Sequence, residues 1–156
     1  MPRVERLLPK QGRPNTQGAF AALAGYVLGS ALLRERERCA AAYPLALLDL
    51  ANGVGSTWFT FVSHPQLAAA IAADAAGLVD KSMDHFDAAL EAAERVPIRL
   101  LRPVTLFWQG RCLVERQEPV DRERARTILG AALDDFSALG IVPYARLASA
   151  ALDQSR

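Results

Sequence analysis

The sequence predicts an all-α protein made of stacked helix pairs, and three observations carry that expectation. Alanine and leucine, the strongest helix formers, supply 29 and 22 of the 156 residues, while valine and isoleucine are scarce. Three separate segments repeat apolar residues at i, i+4 and i+7, the spacing of one helix face. Those segments also align with one another at a constant offset. With 51% hydrophobic and 22% charged residues the chain is globular rather than disordered, and its length suffices for one domain with a sizeable core.

The elements follow in order. Residues 1–17 hold Arg3, Arg6, Lys10 and Arg13 against Glu5 in a Pro/Gly/Gln-rich stretch, read as a flexible basic tail. Residues 18–156 form the folded domain. A first helix is expected over 19–33 and its partner over 34–50, closed by the loop Asn52, Gly53, Val54, Gly55 and Ser56. The second pair is 65–76 and 79–96, opened by Pro65 and divided at Gly77. The third is 103–116 and 121–139, opened by Pro103 and separated by 118–121, with Asp121 as N-cap. Gly140 ends that helix, and Pro143 opens a short last helix over about 144–153 that caps the stack.

The aligned segments are RERERCAAAYPLALLDL, VDKSMDHFDAALEAAERV and DRERARTILGAALDDFSAL. Cys39, Tyr43 and Ala46 fall under Ser82, Phe86 and Ala89, and these under Ala125, Leu129 and Ala132, 43 residues apart each time. Small residues at the ends of such a triplet admit a neighbouring helix, and the central large one fills the groove. This small-x3-large-x2-Ala pattern resembles the second helix of a tetratricopeptide repeat, with a longer unit than the usual period of about 34 residues. The resemblance implies a right-handed stack of about three antiparallel helix pairs with a short C-terminal capping helix. Gly25 and Gly110 then mark places where a paired helix packs directly against the missing side chain.

GLVDKSMDHFDAALEAAERV and EPVDRERARTILGAALDDFSALGI, with RERERCAAAYPLALLD before them, resemble the helical-repeat region of large bacterial signalling proteins. These are multidomain ATPases, LuxR-type transcriptional regulators and class III adenylate cyclases. The resemblance spans residues 18–142 and implies a role in signal transduction or transcriptional regulation. The chain has no GxxxxGK[ST] phosphate loop, no basic helix-turn-helix after the repeats and no counterpart of the cyclase aspartates. It implies the repeats without the chemistry.

Little else points to catalysis. The net charge of +1 gives no attraction to nucleic acid or membranes, and binding of nucleic acid through 1–17 is the weakest expectation. Cys39 and Cys112 form no disulfide framework and no zinc motif, which suits a reduced, cytoplasmic protein. The uncharged run over 18–33 is too short to cross a membrane and lacks a signal-peptide cleavage site. His64 lies in a loop, and His85, flanked by Asp84 and Asp87, has a structural or surface role. Asp134 and Asp135 are solvated. Ser56, Ser63 and Ser82 lack a nucleophile elbow, and Cys112 is a small buried apolar residue.

No cofactor or metal is expected. The expected function is binding of a protein or peptide partner, or a homodimer, on the inner face of the repeats. That face draws on the first helix of each pair: Leu67, Ile71 and Asp74 from the second, and Val104, Phe107, Arg111, Val114 and Glu115 from the third. Leu106, Leu113 and Leu129 are assigned to the core. Phe107 and Trp108 are adjacent, so one of them is expected to be partly exposed. The alternative is a small-ligand-binding or enzymatic all-α domain with its pocket near Trp58 and Phe107, the aromatics Trp58, Phe59 and Phe61 otherwise filling a helix joint. Apolar ends of the stack, at 18–33 or 144–153, would favour dimers.

Overall fold

Proline, glycine and two left-handed residues punctuate the chain into helices. The computed structural model describes residues 4–52, 64–96 and 98–155. Every regular element among them is helical. The chain divides into two units, residues 1–89 and 90–156, each with its own packing.

In the first unit, Thr16 Oγ1 accepts a hydrogen bond from the Ala19 amide at 3.2 Å and starts α1 (Gln17–Leu32). The basic stretch before it holds a 3-10 turn, Glu5–Leu7, that packs on α1. Helix α1 stops where Arg34 adopts a left-handed φ of 59°. The amides of Arg34 and Glu35 then bond back to the Ala31 and Ser30 carbonyls at 3.2 and 2.8 Å.

The single helix expected over 34–50 is two, α2 (Arg36–Ala41) and α3 (Tyr43–Ala51). Pro44 is the reason. It has no amide hydrogen for the Ala40 carbonyl, and its ring crowds that carbonyl. The Ala42 amide turns instead to the Cys39 carbonyl at 3.1 Å.

His64 Nδ1 accepts from the Gln66 amide at 3.3 Å and opens α4 (Pro65–Ala75). Gly77 closes it at φ +78°, with the Gly77 and Leu78 amides bonded at 2.9 Å to the Asp74 and Ala73 carbonyls. Helix α5 (Val79–Arg95) follows and buries Ser82, Phe86 and Ala89. Helices α1, α2 and α3 all pack on α4, whose residues Leu67 to Asp74 are buried without interruption. Its alanine-rich surface lets neighbours approach from every side.

The second unit holds α6 (Leu101–Arg116), α7 (Pro119–Ala138) and α8 (Val142–Gln154). Gln117, at φ 59°, turns α6 sharply into α7, whose first residue is Pro119 and not the expected Asp121. Gly140, at φ +70°, ends α7, with the Ile141 amide bonded to the Phe136 carbonyl at 2.9 Å. Both α6 and α8 pack on α7. Leu106, Leu113 and Leu129 are buried, as the sequence indicated.

All nine residues of the aligned triplets are buried: Cys39, Tyr43 and Ala46 on α2 and α3, Ser82, Phe86 and Ala89 on α5, and Ala125, Leu129 and Ala132 on α7. The two mid-helix glycines behave differently. A β-carbon on Gly110 would stand 2.6 Å from Leu129 Cγ, so α6 and α7 meet there through the missing side chain. A β-carbon on Gly25 would have no neighbour within 4 Å, which corrects the close-packing role expected for it. Among the described residues no helix is long and apolar enough to cross a membrane.

Candidate functional site

Five of the eight residues assigned from sequence to an inner groove are interior. Leu67, Ile71, Asp74, Val104 and Phe107 are each at most 5% exposed, so as placed they serve packing and offer no surface. Helix α4 is enclosed on all sides, which the groove assignment did not foresee. Asp74 is a C-terminal anchor: the Arg36 guanidinium donates to its backbone carbonyl at 2.7 Å and lies 4.0 Å from its carboxylate.

Arg111, Val114 and Glu115 do reach solvent, Glu115 most of all. Arg111 lies with its guanidinium carbon 5.0 Å from the centre of the Trp108 ring and its Nε 3.4 Å from Glu115. Its charge is thereby engaged on α6 itself.

Phe107 and Trp108 are both buried, which corrects the expectation that one is partly exposed. Helix α6 is enclosed round most of its circumference, from Leu101 and Pro103 to Gly110 and on to Leu113. The two rings meet edge to face at 5.4 Å, and Tyr144 of α8 meets Phe107 at 6.1 Å and stacks on Phe136 at 5.1 Å. Trp108 Nε1 finds no hydrogen-bond partner there. Trp58, Phe59, Phe61, Ser56 and Ser63 lie outside the described residues.

The titratable groups form structural networks. His85 Nδ1 lies 2.7 Å from Gln66 Oε1 and its Nε2 3.2 Å from the Tyr43 hydroxyl. The amide oxygen can only accept, so Nδ1 carries the proton and Nε2 accepts from Tyr43. One imidazole thus ties α3, α4 and α5 together. Burial pulls both His85 and His64 below the ordinary imidazole range. Asp49, on α3, is buried with Oδ1 unpartnered, and burial pushes it up to about 6. Cys39 Sγ sits between the Val27 and Ile71 carbonyls at 3.9 and 3.8 Å, while Asp134 is exposed and Asp135 pairs with Arg102. Among the described residues no group of three His, Cys, Asp or Glu side chains could hold a metal ion.

What the second unit leaves open is concave and apolar. A groove of about 410 Å³ runs along the corner of α7 and α8, lined by Phe136, Gly140, Ile141, Val142, Ala145 and Arg146 among others. Val142 and Leu147 stand 55% and 43% exposed on α8. A second cleft, of about 400 Å³, lies between Val96, Ile98, Pro103 and Leu139, with Arg99, Arg102 and Asp135 at its edge. Neither cavity is lined by Phe107.

The α8 surface was missed among the site candidates, although its signal is in the sequence. Tyr144, Ala148, Ala151 and Ser155 share one face, leaving Val142, Arg146 and Asp153 on the other. Helix α8 is fastened by Arg126 of α7, whose Nε donates to the Ser155 carbonyl at 3.2 Å.

In comparisons with known proteins, no family model, no curated protein and no solved structure matches the chain.

Proposed function

We propose that the chain is a non-catalytic, cytoplasmic interaction module of a bacterial signalling or transcription-regulatory system. Its helices form a right-handed stack of about three antiparallel pairs similar to tetratricopeptide repeats, closed by α8. It binds a protein segment or associates with itself. The observation that supports this reading best is the open α7–α8 groove, where apolar side chains stay exposed beside Arg146 on a helix otherwise firmly held. Contiguous exposed apolar surface on a folded chain marks association sites. The binding face of this reading is therefore α8, in place of the interior residues of α4 and α6.

Site-specific photo-crosslinking in cells tests it. A benzophenone side chain placed at Leu147 should give discrete protein adducts, and one at exposed Glu94 should not. Equal labelling at both positions, or none at either, overturns the reading.

A further inference from the structure

We propose that His64 is an acid-labile cap: protonating its ring releases the first turn of α4, whereas protonating His85, bonded to the same glutamine, breaks nothing. Gln66 stands between the two imidazoles. Its backbone amide donates to His64 Nδ1 at 3.3 Å, and its side-chain oxygen accepts from His85 Nδ1 at 2.7 Å. The two bonds differ in what a second proton on the ring does to them.

The neutral His85 ring already carries a proton on Nδ1, so the added one goes to Nε2. The Tyr43 hydroxyl, 3.2 Å away, can donate or accept, and it turns to accept from the new N–H. Every partner of His85 is kept. At His64 the added proton can go only to Nδ1, which has to be bare to accept from Gln66. A backbone N–H cannot reverse its role, so the cap is lost. The new cation also faces the positive end of the α4 dipole. Helix α4 depends on this residue twice, because the His64 carbonyl accepts from the Leu67 and Ala68 amides at 2.9 and 3.2 Å.

Nearby charge does not offset the loss. On the helices packed against α4, the charged groups are Arg36, Glu37 and Arg38 of α2 and Asp49 of α3, while α1 has none. Asp74 lies at the far end of α4 itself. Among the described residues no carboxylate is within ion-pair distance of either imidazole. Burial alone holds His64 below the ordinary imidazole range, whereas His85 also feels Asp84 and Lys81 of α5 in opposite senses. The cap is therefore intact in neutral solution and is lost as the pH falls below that range.

Amide exchange and imidazole nitrogen NMR on the full chain test the proposal. Between about pH 8 and about pH 5, the Leu67 and Ala68 amides, corrected for intrinsic exchange, should open about tenfold more often, the effect of losing one cap. Ala70 and Ala72, in the middle of α4, should keep their opening rates. The neutral His64 ring should hold its proton on Nε2, and the Gln66 amide resonance should move with the His64 titration. His64→Ser supplies a cap with no proton to gain, so it should abolish the acid opening. A neutral His64 ring protonated on Nδ1 overturns the proposal, and so does a first turn indifferent to acid. Acid opening that persists in His64→Ser, or that spreads equally to Ala70 and Ala72, overturns it as well.

Discussion

A β-carbon on Gly110 would sit 2.6 and 2.9 Å from Cγ and Cδ2 of a fully buried Leu129. Gly25 is exposed and its β-carbon would meet nothing within 4 Å. Replacing the two glycines with alanine should therefore have opposite signs. Gly25→Ala gains up to about 1 kcal/mol of helix propensity. Gly110→Ala gains the same but must displace Leu129, for a net loss of about 1–2 kcal/mol; urea denaturation of both variants checks the pair. Both glycines look alike in the sequence. Only the position of α7 distinguishes them.

Asp49 makes a pH-dependent prediction at the same scale. Its carboxyl is pushed up to about 6 from an ordinary 3.8, so between those values the native state holds more protons than the unfolded one. Stability from this group is then fully present below about pH 4 and is lost as the pH rises toward 6. Asp49→Asn removes the loss, and should exceed the native chain in stability by about 1–3 kcal/mol above pH 6, with the gain vanishing near pH 4. His64 and His85 act with the opposite sense. Both are held below the ordinary imidazole range, so protonation favours the unfolded chain and stability falls as pH drops below 6.5. Thermal melts across pH 4 to 8, compared between the native chain and Asp49→Asn, separate the two effects.

Among the elements, helix ends were read best where glycine or proline marks them. Gly77 and Gly140 take the left-handed conformation as expected, and Pro65 opens α4. Two ends carried no such mark, since Arg34 and Gln117 adopt φ 59° without being glycine. Their strain should be removable: Gln117→Gly is expected to stabilise the α6–α7 turn by up to about 1 kcal/mol, measurable as a rise in the urea midpoint. Pro44 was visible too, yet the helix pattern on either side of it concealed the break between α2 and α3.

The same pattern located the buried faces. Each aligned triplet is interior because positions i, i+4 and i+7 share a face whatever lies opposite. Which of the remaining faces reaches solvent was not legible from one helix at a time. Leu67, Ile71, Asp74, Val104 and Phe107 lie away from those triplets, on helices that prove to be enclosed.

For the molecule as a whole, an all-helical class followed from composition and periodicity alone, and the described residues agree. Which surface is left open followed less directly. The expectation of an apolar end at 144–153 meets an α8 on which Leu147 stays exposed, while the groove beside it depends on how Gly140 folds α8 back onto α7. A histidine engaged as a tie between three helices and cysteines packed inside help to hold the helices in place.

The most direct test of that account compares photo-crosslinking at Leu147 with photo-crosslinking at Val120, which is 83% exposed at the start of α7 and lies outside the groove. Discrete adducts at Leu147 that vanish when Val142 is changed to glutamate, with none at Val120, are what the account predicts. Adducts of equal strength at both positions, or adducts at Leu147 that persist with the glutamate in place, would contradict it.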